Sequence, residues 1–168
     1  DFGNYQNATK SGTKFNDLDG DGVKDAGEPG LPGWTIQLSG TAGDGSVVNV
    51  SQVTDANGNY AFNVKPGTYT VSEVGQEGWT QSYPSSGDWE IVLTSGELDS
   101  GNDFGNYQNA TKSGTKFNDL DGDGVKDAGE PGLPGWTIQL SGTAGDGSVV
   151  NVSQVTDANG NYAFNVKP

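Results

Sequence analysis

The feature that most constrains this chain is an internal repeat without a single substitution. Residues 1–66 recur at 103–168, so that Asp1 corresponds to Asp103 and the period is 102 residues. A period of this length exceeds the roughly 20–50 residues of a solenoid repeat and matches the size of one globular domain. We therefore expect tandem domains of identical fold, with one full period and part of a second in this chain.

Short apolar runs separated by turn residues indicate that each repeat is all-β. Large apolar and polar residues alternate in these runs, as they do in strands with one buried face. No segment has helical periodicity, and about seven strands in roughly 100 residues predict an Ig-like β-sandwich. The predicted strands of one repeat are 11–15, 34–38, 46–54, 60–64, 68–74, 89–93 and 103–107, with a looser stretch at 75–87.

The closing strand at 103–107 predicts the domain boundaries. Residues 1–7 are then the last strand of a preceding repeat, 8–109 form a complete domain, and 110–168 form a second, incomplete copy. Because the second copy stops in the middle of the repeat, we interpret the chain as a segment of a longer array. A linker of about four residues is too short to act as a flexible coil, so neighbouring repeats are expected to restrict one another's orientation.

Charge and residue usage exclude several classes of function. The chain has 22 acidic and 8 basic residues, a net charge of −14, and neither His nor Cys. An acidic surface repels phosphate backbones, so no nucleic-acid partner is expected. Without Cys the chain has no disulfide and no thiolate nucleophile. Without His it has no imidazole that could act as a base or bind a metal. No apolar stretch approaches the roughly 18 residues of a membrane span.

The strongest chemical signal is an acidic loop at residues 17–28. It matches the pattern D-x-D-x-D-G-x5-E at each ligand position. Carboxylate and carbonyl oxygens are hard donors that suit Ca²⁺, although an unliganded acidic turn is the alternative. Pro29 follows the loop and excludes the exiting helix of an EF-hand. The predicted Ca²⁺ ligands are Asp17, Asp19, Asp21, Val23, Asp25 and Glu28, and in the second copy Asp119, Asp121, Asp123, Val125, Asp127 and Glu130.

Three segments of the repeat resemble a known family, the SdrD B-like (Cna B-type) domains. They are SGTKFNDLDGDGVKDAGEPGLPGWTIQL from residue 11, TDANGNYAFNVKPGTYTVSEV from residue 54 and SGNDFGNY from residue 100. Together they cover nearly the whole repeat. The resemblance implies an Ig-like, prealbumin-like β-sandwich with structural Ca²⁺. It also implies tandem arrays that project from cell surfaces as stalks, so the expected location is extracellular, at the cell surface.

The resemblance also raises the question of an internal cross-link. Some relatives with this fold join a Lys of the first strand to an Asn of the last, helped by a buried acid, and the corresponding residues here are Lys14, Asn106 and Glu73. Asn106 is in phase with Phe104, which favours a bond. Lys14, however, is out of phase with Phe15, which we expect to face the core. We therefore expect Lys14 to be a solvated lysine at the sheet edge and Glu73 a hydrogen-bonded strand carboxylate.

Three functions are compatible with these observations. The favoured one is a structural module of a repetitive extracellular stalk or filament, rigidified by Ca²⁺, with neighbouring repeats and identical chains as partners. The alternative is an adhesive or carbohydrate-binding module that presents Trp34, Trp79 or Trp89 to glycans or host-surface ligands, with Trp79 the most exposed. An enzyme is not expected, because His and Cys are absent and the carboxylates are concentrated in the metal loop, although a glycosidase pair is formally available.

Four N-x-[ST] sequons are present, at Asn7, Asn49, Asn109 and Asn151. They are acceptor sites for N-glycosylation in an organism that glycosylates its surface proteins.

Overall fold

A computed structural model describes residues 1–168 and contains strands but no helix. No helix of the length and apolar content needed to cross a membrane is therefore present. The chain divides into unit 1, Asp1–Gln108, and unit 2, Asn109–Pro168. The strands of unit 1 are β1 (Ala8–Asn16), β2 (Thr35–Ala42), β3 (Val47–Val53), β4 (Asn59–Val64), β5 (Gly67–Glu73), β6 (Thr80–Tyr83), β7 (Asp88–Leu93), β8 (Leu98–Asp99) and β9 (Phe104–Tyr107). Those of unit 2 are β10 (Ala110–Thr115), β11 (Thr137–Thr143), β12 (Val149–Val155) and β13 (Asn161–Val166).

Unit 1 consists of two sheets. The first has the order β4-β1-β9-β6, with β8 beside the first half of β1, and the second has the order β3-β2-β5-β7. Strand β1 pairs antiparallel with β4 and parallel with both β8 and β9. The first and last strands of the unit therefore lie side by side and run in the same direction.

The core lies between the two sheets. In β4 the buried positions alternate with exposed ones, as expected for a strand with one face against a second sheet. Burying such apolar side chains contributes about 1.5–3 kcal/mol each. The predicted all-β sandwich is confirmed. The core residues are Ala8, Tyr60, Phe62, Val64 and Phe104 from the first sheet, and Ile36, Leu38, Tyr69, Val71, Ile91 and Leu93 from the second, with Trp34 beside them.

Strand β1 is buried on both faces near its end, and its inward side chain is Lys14 and not Phe15 as expected. Lys14 and Phe15 are both fully buried, but Phe15 is outside the core cluster. Its ring lies against Gly105 of β9, and Asn16 N donates a hydrogen bond to Pro29 O, so the end of the acidic loop runs beside β1 at Phe15. Lys14 instead occupies the inward face. The prediction of a solvated Lys14 is wrong, because Phe15 faces outward against Gly105 of β9 and the lysine takes the inward position.

Two strands differ from expectation, whereas the interpretation of residues 1–7 as the last strand of a preceding repeat stays a prediction. The short strands β6 and β8 were not predicted, because both lie in stretches rich in turn residues. Residues 1–7 form no strand within this chain; Gln6 N donates to Ser95 Oγ and Gln6 O accepts from Gly96 N.

Unit 2 has the same local pairings as the corresponding part of unit 1. Strands β10 and β13 pair in the register of β1 and β4, and β11 and β12 pair in the register of β2 and β3. Unit 2 has no counterparts of β5 to β9. Its equivalent of Trp34, Trp136, is consequently 51% exposed, against 2% for Trp34.

Candidate cross-link site and candidate metal loop

A lysine, an asparagine and a glutamate meet inside the sandwich of unit 1. Lys14 comes from β1 and Asn106 from β9, its parallel neighbour, while Glu73 ends β5 in the opposite sheet. Lys14 Nζ donates to Asn106 Oδ1 at 2.6 Å and lies 3.1 Å from Glu73 Oε2. Asn106 Nδ2 donates to Glu73 Oε1 at 2.7 Å. Each of the three groups therefore touches the other two.

This cluster is shielded from water. Lys14 is 0% exposed and Asn106 1%, and the Glu73 side chain is 4% exposed. The ammonium of Lys14 lies 4.4 Å from the centre of the Trp34 ring. Burial lowers the pKa of Lys14 to about 8, and the nearby Glu73 carboxylate only partly opposes this shift. The neutral amine is therefore accessible near neutral pH.

The arrangement has the components for amide exchange. A neutral lysine amine is a nucleophile, and an asparagine side chain offers a carbonyl carbon with an amine leaving group. A carboxyl group that touches both can move the proton from the lysine nitrogen to the departing ammonia. The three residues indicated by the family resemblance are thus brought together, but Lys14 is buried and not solvated.

A second buried lysine was missed. Lys10 is also 0% exposed, and it contacts Asn102 and Asp99. The available signal was spacing, because Lys10 precedes Lys14 by four residues and Asn102 precedes Asn106 by four.

The acidic loop is organised by its own carboxylates. Asp17 is fully buried, and its two oxygens accept from Gly20 N at 2.7 Å and Gly22 N at 2.8 Å. Both glycines have positive φ, 74° and 83°, which residues with a side chain adopt only with strain. Glu28 closes the loop by accepting from Leu18 N at 2.6 Å and from Asp25 N at 3.0 Å.

The positions of the carboxylate oxygens fit a bound calcium ion. Oxygens of Asp17, Asp19 and Glu28 lie within 4.8 Å of one another, and so do oxygens of Asp19, Asp21 and Asp25. Two ligands on opposite sides of Ca²⁺ lie roughly 4.6–5.2 Å apart, because each bond is about 2.3–2.6 Å long. Without a cation, this many carboxylates would repel one another.

The loop of unit 2 repeats this geometry. Oxygens of Asp119, Asp121 and Glu130 again lie within 4.8 Å, as do those of Asp121, Asp123 and Asp127. Glu130 accepts from the backbone of residues 120 and 127 at 2.7 and 3.0 Å, in the same pattern as Glu28. Val23 and Val125, predicted to contribute backbone carbonyls, lie in the corresponding turns and donate their N–H groups to Asp21 and Asp123.

The tryptophans of unit 1 are engaged in packing. Trp79 meets Trp34 edge to face at 5.5 Å and is partly buried, so the expectation that it is the exposed tryptophan of the repeat is wrong. Trp89 packs against Tyr83 and donates its Nε1–H to Asp103 O at 3.1 Å. Trp34 is buried, and Trp79 and Trp89 are each partly buried by these contacts.

The four sequon asparagines lie on the surface. Asn7, Asn49, Asn109 and Asn151 are all exposed. Their glycosylation stays a prediction.

Comparisons with known proteins agree with these features. The sequence profile of the SdrD B-like domain matches residues 12–109 and 113–168. The serine-aspartate repeat-containing protein D of Staphylococcus aureus strain Newman is 29% identical over 161 residues, which cover 89% of this chain and 12% of that protein. The bone sialoprotein-binding protein of S. aureus strain MRSA252 is 30% identical over 168 residues, with coverages of 89% and 14%.

One solved structure extends the comparison to the fold. The Bacillus anthracis TIE protein superimposes with a TM-score of 0.50 at 20% sequence identity, covering 96% of this chain and 26% of that protein. The chain thus spans a small part of each of these proteins.

Proposed function

This chain belongs to the SdrD B-like domain family, and on that premise we propose that its complete unit is a structural module of an extracellular stalk or filament at a cell surface. The observation that carries the proposal is the buried contact of Lys14 with Asn106, which joins the first strand to the last. An isopeptide bond forms there with loss of ammonia, and Ca²⁺ bound in the acidic loop stiffens the same end of β1. Neighbouring repeats, and identical chains in a bundle, are the partners of such a module.

The position of the bond determines how the unit resists tension. Strands β1 and β9 are parallel neighbours, so pulling the two ends of the unit apart shears one strand along the other. Hydrogen bonds between the two strands resist this shear, but a sufficient force breaks them and separates the strands. A covalent bond between residues 14 and 106 transmits the force directly and leaves residues 15–105 outside the path.

Calcium has a different role in this proposal. The loop begins three residues after Lys14, and the residues that end it pair with β1 beside Phe15. A cation that fixes the loop therefore also fixes this end of β1. For an extracellular site with Kd on the order of 10⁻⁴–10⁻³ M, millimolar Ca²⁺ adds about 0.5–1.5 kcal/mol of stability per loop.

Single-molecule extension of the 168-residue chain tests the clamp. At about 3.4 Å per residue the whole chain extends to about 570 Å, whereas bypassing residues 15–105 leaves about 260 Å. We expect the shorter value, because unit 2 contains no counterpart of Asn106 and extends fully. An extension near the longer value would exclude a covalent clamp in unit 1.

Small-angle scattering tests the calcium part independently. A protein of several repeats is expected to be stiff in millimolar Ca²⁺ and to become more flexible with excess chelator. Identical profiles in both conditions would remove calcium from the mechanism and leave the cross-link unaffected.

We do not extend the proposal to adhesion or catalysis. The tryptophans that would stack on sugars are packed within unit 1. The buried acid Glu73 contacts Lys14 and Asn106 and lies in no open cleft.

A further inference from the structure

A second lysine of β1 is fully buried, although a β-sandwich does not need a lysine at this position. Lys10 is 0% exposed and lies on the same inward face as Lys14, in register with Phe62 of β4. Its Nζ lies 3.1 Å from Asp99 Oδ2 and donates a hydrogen bond to Asn102 Oδ1. Burial lowers the pKa of Lys10, and the hydrogen bond and charge of Asp99 only partly oppose this shift.

The fold holds Asn102 against β1 by several contacts. Tyr60 donates its hydroxyl to Asn102 O at 2.5 Å, and Thr13 N donates to the neighbouring Asp103 side chain at 2.7 Å. Gly12 permits this approach, because a Cβ at that position would overlap the backbone oxygen of Asn102. The segment between β8 and β9 is thus fixed on β1, with its asparagine side chain at the lysine amine.

The two lysine sites share one sequence spacing, although Asn106 lies in β9 and Asn102 lies between β8 and β9. Lys10 and Asn102 are 92 residues apart, and so are Lys14 and Asn106. Asp99 is paired with Lys10 in the parallel register of β8 and β1, whereas the acid of the other site comes from the opposite sheet. The second site therefore has the same lysine and asparagine spacing, but its acid comes from β8, which lies beside β1 in the same sheet.

We propose that Lys10 and Asn102 form a second isopeptide bond in the same unit, with Asp99 as the proton-transferring acid. The inference adds to the proposed function but does not require the bond at Lys14, because its three residues are all different.

The reaction needs no co-reactant. Proton transfer from the Lys10 ammonium to the Asp99 carboxylate gives a neutral amine and a carboxylic acid. The amine attacks Cγ of Asn102, the Nζ–Cγ bond forms, and the Cγ–Nδ2 bond breaks. Asp99 moves the proton from the attacking nitrogen to the departing one, which leaves as ammonia.

The Asp99 side chain is 27% exposed, against 4% for Glu73, so water competes more at this site. We expect the second bond to form more slowly than the first.

Two bonds would create a covalent ring in the path of tension. The ring consists of residues 10–14, the bond at Asn106, residues 102–106 and the bond at Asn102. Force entering at Lys10 and leaving at Asn106 then divides between two covalent routes. Each route contains one cross-link and four peptide bonds of backbone. The two routes therefore have equal lengths and carry the force together.

Intact mass and peptide mapping of the 168-residue chain test the proposal. We expect the mass to fall by two molecules of ammonia, the second over a longer time after folding. Trypsin is expected to leave the chain uncut after Lys10, and fragment ions should join this residue to Asn102. Asn102→Ala should restore one ammonia and tryptic cleavage after Lys10, while leaving the bond between Lys14 and Asn106 in place.

Unit 2 offers a matched control for the lysine. Lys112 has the same sequence neighbours as Lys10 but is exposed. Lys10→Arg should remove one ammonia loss and Lys112→Arg none. This pair also assigns the tryptic peptides, whose sequences are shared between the units.

The outcomes separate this inference from the proposed clamp. One ammonia lost and mapped to Lys14 and Asn106, with Lys10 recovered as a free lysine after prolonged incubation, overturns the second bond and leaves the clamp. One ammonia lost and mapped to Lys10 and Asn102 supports the second bond and overturns the first. An unchanged mass overturns both.

Discussion

Residues 8–66 and 110–168 have the same sequence but different surroundings. In unit 1, β5 and β7 complete the opposite sheet, β8 and β9 lie beside β1, and Lys14 is fully buried. In unit 2 these strands have no counterpart, and the equivalent Lys116 is only partly buried, although it still lies over the ring of Trp136 at 4.9 Å. The acidic loops, in contrast, have the same hydrogen bonds from backbone N–H groups to carboxylates in both units.

This difference separates two kinds of site. The loop is built by residues within twelve positions of one another, so its geometry is a local property of the sequence. The lysine sites depend on distant partners: the asparagines lie 92 residues away, and the acids lie 59 residues from Lys14 and 89 from Lys10. These sites therefore exist only when the unit is complete. The same lysines are therefore buried beside asparagines in one copy and exposed or partly buried in the other.

The largest expected effect comes from completing unit 2. Extending the chain after Pro168 with the sequence of residues 67–108 should bury Trp136 and convert unit 2 into a cooperatively folded domain with about 5–10 kcal/mol of stability. Urea unfolding followed by tryptophan fluorescence measures this gain. The mass should also fall by the same number of ammonia molecules as unit 1 loses. A unit 2 that stays unchanged would mean that strands β5 to β9 are not what distinguishes the two copies.

A smaller effect is expected at the phenylalanine beside the loop. Phe15→Ala removes a fully buried ring and should cost about 3–5 kcal/mol of unfolding free energy. Phe117 is only partly buried, so Phe117→Ala should cost less than half of this amount. Urea unfolding of each variant measures the difference. Equal losses would show that the loop alone, without the strands of the complete unit, buries this ring.

The loops should bind calcium alike. Isothermal titration calorimetry is expected to give two sites per chain with affinities that differ by less than about threefold, because the loop geometry is local. Glu28→Gln and Glu130→Gln should each remove one site. If only the site in unit 1 binds, the loop depends on the complete sandwich and the division into local and long-range sites fails.

The smallest effect is expected at a surface ion pair present in both copies. Lys65 lies 2.7 Å from Asp44, and Lys167 lies 2.6 Å from Asp146. Exposed pairs of this kind contribute little, because solvent screens them and both side chains lose freedom. Replacing either lysine by alanine should leave the urea midpoint of its unit unchanged within error. A clear loss at Lys65 alone would indicate that this pair is coupled to the complete sandwich.

The sequence predicted most of the strands because alternation is read locally. Tyr60, Phe62 and Val64 alternate with polar residues and are buried as expected. The prediction of which side chains of β1 face the core was wrong for a physical reason. Phe15 is buried on the outer face against Gly105 of β9, and burial alone does not tell which face of a strand meets the core.

The candidate sites were predictable to different extents. The acidic loop follows from one segment and a fixed ligand spacing. Asn106 and Glu73 could be named only through a family resemblance, and Asn102 and Asp99 were not found, because the short strand β8 that positions Asp99 has no sequence pattern of its own. Long-range pairs of polar residues leave little periodic signal in a sequence.

The parallel pairing of β1 and β9 also determines how repeats of this kind add up. The chain enters unit 1 at the start of β1. It leaves the unit at the end of β9, which extends past the end of β1, so the two points lie at opposite ends of the sheet. Each complete unit thus advances the chain by roughly 30 Å, at about 3.3 Å per strand residue. The points at which the chain enters and leaves the unit are therefore about one strand length apart.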